Sequence, residues 1–177
     1  MEHKTAVFCY GSNSTQQLRE RVKNDELESY GCFAPQFRRI YCGYSTRWGG
    51  GPASIVRVPD HPDEVCYGTV VYLLDEELAR LDRFEGIDEG NDPFHAHPKV
   101  NLYRREWIHI VLKDSQEQIH AIAYIHNDHT WGTYPSDAYL KACYKNVSPF
   151  WPEVDGDKKL KVFDVDGTLR GEFLPSE

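Results

Sequence analysis

The run Ala6-Val7-Phe8-Cys9-Tyr10 halts at Gly11 and is followed at once by Ser12, Asn13, Ser14 and Thr15. The apolar run reads as a short buried strand, and the polar residues after it are all types that can cap a helix. Strand, glycine and helix start thus fall within about ten residues, and a chain holding such a unit needs a sheet to receive the strand and a layer for the helix to cover. N–H groups at a helix start lack intrahelical acceptors and sit at the positive end of the helix dipole. A carboxylate or phosphate is the natural guest there. The same letters also describe an ordinary capped turn that binds nothing, and the stretch alone leaves both readings open.

The remaining pattern is mostly strand. Residues 5–10 form the first strand, and Ser14 to about Lys23 a short helix with Leu18 and Val22 spaced i, i+4. Residues 32–45 read as one strand or as two with a break. Trp48-Gly49-Gly50-Gly51-Pro52 is a loop, flexible by composition and without the spacing of a phosphate-binding loop. Ala53–Val58 and Val65–Leu73 are strands, with Gly68 marking a bulge or a close backbone approach. Asp75 is expected to cap a helix from Glu76 to about Arg83, with Leu74, Leu78 and Leu81 as its buried stripe and Gly86 at its end. Residues 87–99 are loop. Leu102–Leu112 and Ile119–Ile125 alternate as the arms of a hairpin. Pro135-Ser136-Asp137 opens a helix from Ala138 to about Asn146, and Lys159–Phe173 suggests two short strands around Asp166-Gly167. The sum is an α+β domain, mostly sheet or barrel, with three modest helices.

Length and composition bound the function. A chain of 177 residues with 40% hydrophobic and 27% charged residues is expected to form one globular domain. A net charge of -8 argues against nucleic acid or an anionic membrane as partner, and leaves room for an anionic small molecule in a local pocket. No apolar run is long enough to span a membrane, and Met1-Glu2-His3-Lys4 does not open a signal peptide. The five cysteines, Cys9, Cys32, Cys42, Cys66 and Cys143, form no C-x-x-C pair, so a reducing cytosol is the expected home.

Glu85 stands where a helix gives way to a glycine-marked loop. Shielding by Phe84 and the nearby carbonyls of the helix end would raise its pKa towards the range that a general acid or base requires. Asp164-Val165-Asp166-Gly167-Thr168 resembles the D-x-D-G-T signature of haloacid-dehalogenase-type phosphatases. The large doubly wound domain which that motif opens has no room downstream, and a β-turn explains the letters. His95 and His97, and His126 and His129 around Asp128, match no zinc spacing, so no metal is expected. No cysteine has the setting of a nucleophile.

Two stretches together carry more than local rules. Tyr10-Gly11-Ser12-Asn13 resembles the Y-G-S-N motif of the gamma-glutamylcyclotransferase family, and Leu81-Asp82-Arg83-Phe84-Glu85-Gly86 resembles that family's L-D-x-x-E-G segment. Ser45–Gly51 with Ala53–Val56, Glu64–Tyr72, Tyr103 and Pro135–Tyr139 are similar to further family segments in the same order, so the likeness covers roughly residues 5–146. The loop 87–99 and the stretch from about 147 have no counterpart. The latter is expected to extend a single domain spanning residues 1–177. The resemblance implies a small mixed β-barrel with flanking helices, and it suggests assembly as a homodimer. It also implies intramolecular cyclisation of a γ-glutamyl amino acid or γ-glutamyl amine to 5-oxoproline with release of the amine, without cofactor or metal. Glu85 would be the general acid/base. Tyr10, Gly11, Ser12 and Asn13 would bind substrate, with Tyr103 and Tyr139 lining or orienting the pocket. A binding or regulatory module that keeps the pocket without turnover is the alternative.

Overall fold

The computed structural model describes residues 2–154 and 160–169. Strands β1 (Thr5–Cys9), β2 (Tyr30–Pro35), β5 (Val65–Leu73), β6 (Tyr103–Leu112) and β7 (Gln118–His126) close into a barrel in the order β1-β5-β2-β6-β7. Every neighbouring pair is antiparallel except β1 and β7, which run parallel and close the barrel. A separate ribbon pairs β3 (Phe37–Tyr41) with β4 (Ala53–Arg57). Helices α1 (Thr15–Val22), α2 (Asp75–Phe84) and α3 (Asp137–Val147) flank these sheets.

β1 is buried on both faces, which is why it reads as a continuous apolar run rather than an alternation. Ala6 and Phe8 point into the barrel core, together with Ile108, Ile110 and residues of α3. Val7 and Cys9 face the other way, into a second cluster with Leu18 and Val22 of α1 and Leu78 and Leu81 of α2. Both helices are thus clamped on the outside of β1, and the two chain segments that follow β1 and end α2 meet at one end of the barrel.

The break expected between residues 32 and 45 lies at Gln36. Its φ of 58° turns the chain out of the barrel into the ribbon. Gly68 marks a close approach and not a bulge. β5 runs through it unbroken, and a Cβ there would come within 2.5 Å of the Cys9 carbonyl oxygen and 2.6 Å of the Phe8 ring.

Three expectations need correction. The N-cap of α2 is Leu74, with Asp75 already helical. Its exposed N–H is met by the Glu77 carboxylate reaching back 2.9 Å, so Glu77 and Asp82 join Leu78 and Leu81 on the buried face, while Leu74 is half-buried. The glycine loop 48–52 is packed rather than flexible. A Cβ on Gly50 would lie 2.5 Å from the Tyr134 carbonyl oxygen, and Gly51 abuts Thr133 just as closely. The described part of 159–173 forms a tight turn closed by one bridge, Phe163 with Leu169, rather than two strands; residues 159 and 170–173 lie outside the described residues. Asp164 and Asp166 sit in that turn, where the Gly167 N–H donates to the Asp164 carbonyl at 2.9 Å. Leu160, Val162 and Phe163 nevertheless enter the core, so the stretch beyond residue 147 helps to build it.

Candidate active site

One end of the barrel opens into a cavity of about 370 Å³. Its wall brings together Tyr10, Gly11, Ser12 and Asn13 after β1, Glu85 after α2, Tyr103 at the start of β6 and Tyr139 in α3. All seven sequence candidates therefore share one space.

The turn after β1 is held from behind. Arg39, itself buried, donates from Nε to the Tyr10 carbonyl at 2.8 Å, and Asn146 donates from Nδ2 to the Gly11 carbonyl at 3.0 Å. Helix α1 begins only at Thr15, where the Ser14 hydroxyl caps it by accepting from the Gln17 N–H. The N–H groups of Gly11, Ser12 and Asn13 have no acceptor among the described residues. The donors without an acceptor thus begin in the turn and continue into the first residues of the helix, since Thr15 and Gln16 N–H have none among the described residues either. A Cβ on Gly11 would stand 3.4 Å from the Tyr139 hydroxyl, an ordinary contact, so glycine here widens the cavity wall rather than relieving a clash.

Glu85 is the last residue of the α2 turn, its N–H bonded to the Leu81 and Asp82 carbonyls. Gly86 follows with φ of 70°, the left-handed step that ends the helix and sends the chain aside. The Glu85 carboxylate accepts from Asn13 Nδ2 at 3.2 Å, and Asn13 Oδ1 accepts from Arg21 at 2.8 Å. Arg21 thereby fixes which end of the Asn13 amide faces Glu85. Burial lifts the Glu85 carboxyl above its ordinary pKa and the Asp82 charge adds to this, while the Asn13 hydrogen bond and the Arg21 charge act downward. Phe84 is 56% exposed, so it is the enclosure by the cavity as a whole, more than this ring, that desolvates Glu85.

The tyrosines are fixed by hydrogen bonds as well as by packing. The Tyr103 hydroxyl donates to the Ala53 carbonyl at 3.1 Å, and the Tyr139 hydroxyl accepts from the Ala53 N–H at 2.7 Å. Together they pin the start of β4 against the cavity. The Tyr10 hydroxyl donates to the Tyr124 carbonyl. Burial raises all three phenols, which stay neutral. His126 also reaches the wall, its pKa lowered by burial. The five cysteines are buried, and burial pushes the Cys9 and Cys42 thiols up to about 12, away from thiolate chemistry. Among the described residues no three His, Cys, Asp or Glu side chains gather as metal ligands.

A sequence profile described as "Gamma-glutamyl cyclotransferase, AIG2-like" matches residues 7–142, which span β1 to α3 and every residue of this cavity wall. The chain belongs to this family. Two solved structures share its fold over most of both chains. One is titled "Gamma-glutamyl cyclotransferase", with a TM-score of 0.65, 20% identity, and coverage of 81% of this chain and 78% of that one. The other is an uncharacterised protein from Homo sapiens, with a TM-score of 0.65, 21% identity, and coverage of 82% and 79%. A yeast gamma-glutamyl cyclotransferase specific to glutathione aligns with a TM-score of 0.51 and 13% identity over 85% of this chain and 86% of that one. No curated protein matches the sequence significantly.

Within this gamma-glutamyl cyclotransferase fold, sequence reasoning missed Arg21, Arg39 and Asn146. Each is polar in a segment that reads as an ordinary amphipathic element, and its partner is 8, 29 or 135 residues away. Arg21 had the one available signal, a cation in the last turn of the helix on the flank beside Leu18 and Val22.

Proposed function

We propose that this protein cyclises γ-glutamyl amino acids or γ-glutamyl amines to 5-oxoproline. The observation that carries the reading is the pairing of Glu85 with the vacant N–H groups of Gly11–Asn13 across one cavity, joined through Asn13 at 3.2 Å.

The reaction needs no enzyme nucleophile. The substrate's own α-nitrogen attacks its γ-carbonyl carbon, a new C–N bond closes the five-membered ring, and the old C–N bond to the amine breaks. Folding the substrate so that these two atoms meet converts attack into a positioned unimolecular step, which is worth several kcal/mol, about 7 at the low end. The Gly11–Asn13 turn suits the glutamyl α-carboxylate, since its N–H donors are already oriented and their carbonyls tied back by Arg39 and Asn146. Glu85, as carboxylate, takes the proton from the α-ammonium and returns it to the departing nitrogen. A carboxyl held above its usual pKa is a better-matched base for that exchange and a better acid afterwards. Tyr103 and Tyr139 hold the wall opposite.

The test is to incubate the purified protein with γ-glutamyl dipeptides and γ-glutamyl-ε-lysine and to assay 5-oxoproline. Glu85→Gln should lower kcat by about 10²- to 10⁴-fold with the fold retained. Turnover that survives this change would remove Glu85 from its role. Binding of glutamate or 5-oxoproline with no product from any γ-glutamyl compound would favour a non-catalytic binding module.

A further inference from the structure

Three large apolar side chains with about half their surface in water line the one cavity: Tyr44 at 54%, Phe84 at 56% and Leu102 at 51%. Single apolar residues scattered over a surface are ordinary, whereas a group of them around one opening is the form that ligand clefts take. All three are presented by a tied backbone. On either side of Tyr44, the Gly43 N–H donates to the Trp131 carbonyl at 2.9 Å and the Ser45 N–H to the Gly50 carbonyl at 2.8 Å. Leu102 donates to the Gly86 carbonyl at 3.1 Å and accepts from the Asn127 N–H at 3.0 Å. Phe84 ends α2 with the Arg21 guanidinium over its ring, 4.9 Å from the centroid, and the same Arg21 holds Asn13.

Their position relative to Glu85 assigns this surface. Phe84 precedes Glu85 in the chain, and the Glu85 carbonyl accepts from the Tyr103 N–H at 3.2 Å, which brings Leu102 to the same residue from β6. In the reaction above, the departing nitrogen must come within reach of Glu85 to take back its proton, while the Gly11–Asn13 turn keeps the glutamyl carboxylate. The substituent on that nitrogen then leaves the site past these side chains. Apolar surface of this kind sheds its water favourably only when an apolar group covers it. Small or charged substituents would leave all three side chains wet.

We propose that Tyr44, Phe84 and Leu102 form a subsite for the side chain of the departing group, so that the preferred substrates are γ-glutamyl derivatives of large aliphatic or aromatic amino acids. This rests on the cyclisation proposed above. Two rings and a branched aliphatic chain give such a side chain both area and the edge or face contacts that aromatic pairs favour.

The test compares γ-glutamyl-phenylalanine and γ-glutamyl-leucine with γ-glutamyl-alanine, each with one free carboxylate, so that charge is held constant. In the wild type kcat/KM for the first two should exceed that for the alanine compound by about tenfold or more. Tyr44→Ser and Leu102→Ser, checked for an unchanged far-ultraviolet circular dichroism spectrum, should each bring that ratio down to about threefold or less. The ratio, unlike either rate alone, does not move with a general loss of activity. The three compounds are also titrated calorimetrically into Glu85→Gln, which reads the subsite without turnover. Tighter binding of the two large compounds there, with no 5-oxoproline formed from any of them by the wild type, would remove the cyclisation and keep the subsite. Where the wild type turns over, equal kcat/KM for the three compounds overturns the proposal, and where it does not, equal or absent binding does. A preference that survives both serine substitutions overturns it as well.

Discussion

At the scale of single residues, the role proposed for Glu85 would set stability against activity. Its carboxyl has a folded pKa raised by burial, so the folded state binds that proton more tightly than the unfolded state does. The stabilisation this brings is fully present below the unfolded pKa and is lost as pH rises through the folded one, so at neutral pH the ionised Glu85 is a cost to the fold. Glu85→Gln, which is neutral throughout, should therefore melt at or above the wild-type temperature at pH 7.5 while losing turnover, as thermal unfolding followed by circular dichroism would show. Asn13 and Arg21 act in the opposite sense on the same group, since both favour the carboxylate. Removing either raises its pKa further. If the ionised form starts the reaction, Asn13→Ala and Arg21→Gln should both shift the acidic limb of the kcat/KM profile to higher pH. A limb that stayed in place would mean that Glu85 does not govern it.

At the scale of elements, the C-terminal end of α2 is where the site is most exposed to disruption. Asp82, one turn before Gly86, is buried and takes both nitrogens of Arg105 on β6, at 2.9 and 2.5 Å, together with the Tyr124 hydroxyl on β7 at 2.6 Å. This links the helix that presents Glu85 to the hairpin that presents Tyr103 and receives the Tyr10 hydroxyl. Asp82→Ala would leave a guanidinium and a phenol without their shared partner. It should cost about 3–5 kcal/mol in equilibrium urea unfolding, more than a surface ion pair would. Such ties explain which parts of the architecture could be read from residues alone. Strand and helix positions were legible because burial imposes a period, as in β6 and α3. The junction of Tyr10–Asn13 with Glu85 was legible only through two short motifs, since 72 residues separate Asn13 from its carboxylate partner. The Leu74 cap was not legible, because Asp75 looked like the better capping residue and Glu77's reach back to the Leu74 N–H depends on side-chain geometry. Nor was the packing of the glycine loop, whose close neighbours Thr133 and Tyr134 come from a segment about eighty residues later.

At the scale of the whole molecule, the charge of the chain and the charge of its cavity run opposite ways. The protein carries a net charge of -8, yet the charged side chains on the cavity wall are Arg21, Arg47 and Glu85. Arg21 is engaged by Asn13. Arg47 is exposed at the rim over the Trp48 ring, 5.5 Å from its centroid, and among the described residues no carboxylate pairs with it. If the Gly11–Asn13 turn takes the glutamyl α-carboxylate, a second cation at the rim is left to act on the departing group. It attracts a leaving amino acid that keeps its carboxylate and repels one that ends in a free ammonium. The expected order of kcat/KM is therefore γ-glutamyl amino acids with a free carboxylate, then their amides, then cationic amines. Arg47→Glu should narrow or invert that order while changing the amides least. For a solvent-exposed charge the effect is about 1 kcal/mol, or roughly fivefold. It should shrink in 0.5 M salt, because rim charges are screened over less than about 10 Å. Kinetics on such a matched set of three substrates at low and high salt would measure this, and an order indifferent both to Arg47→Glu and to salt would show that the leaving group is chosen by shape alone.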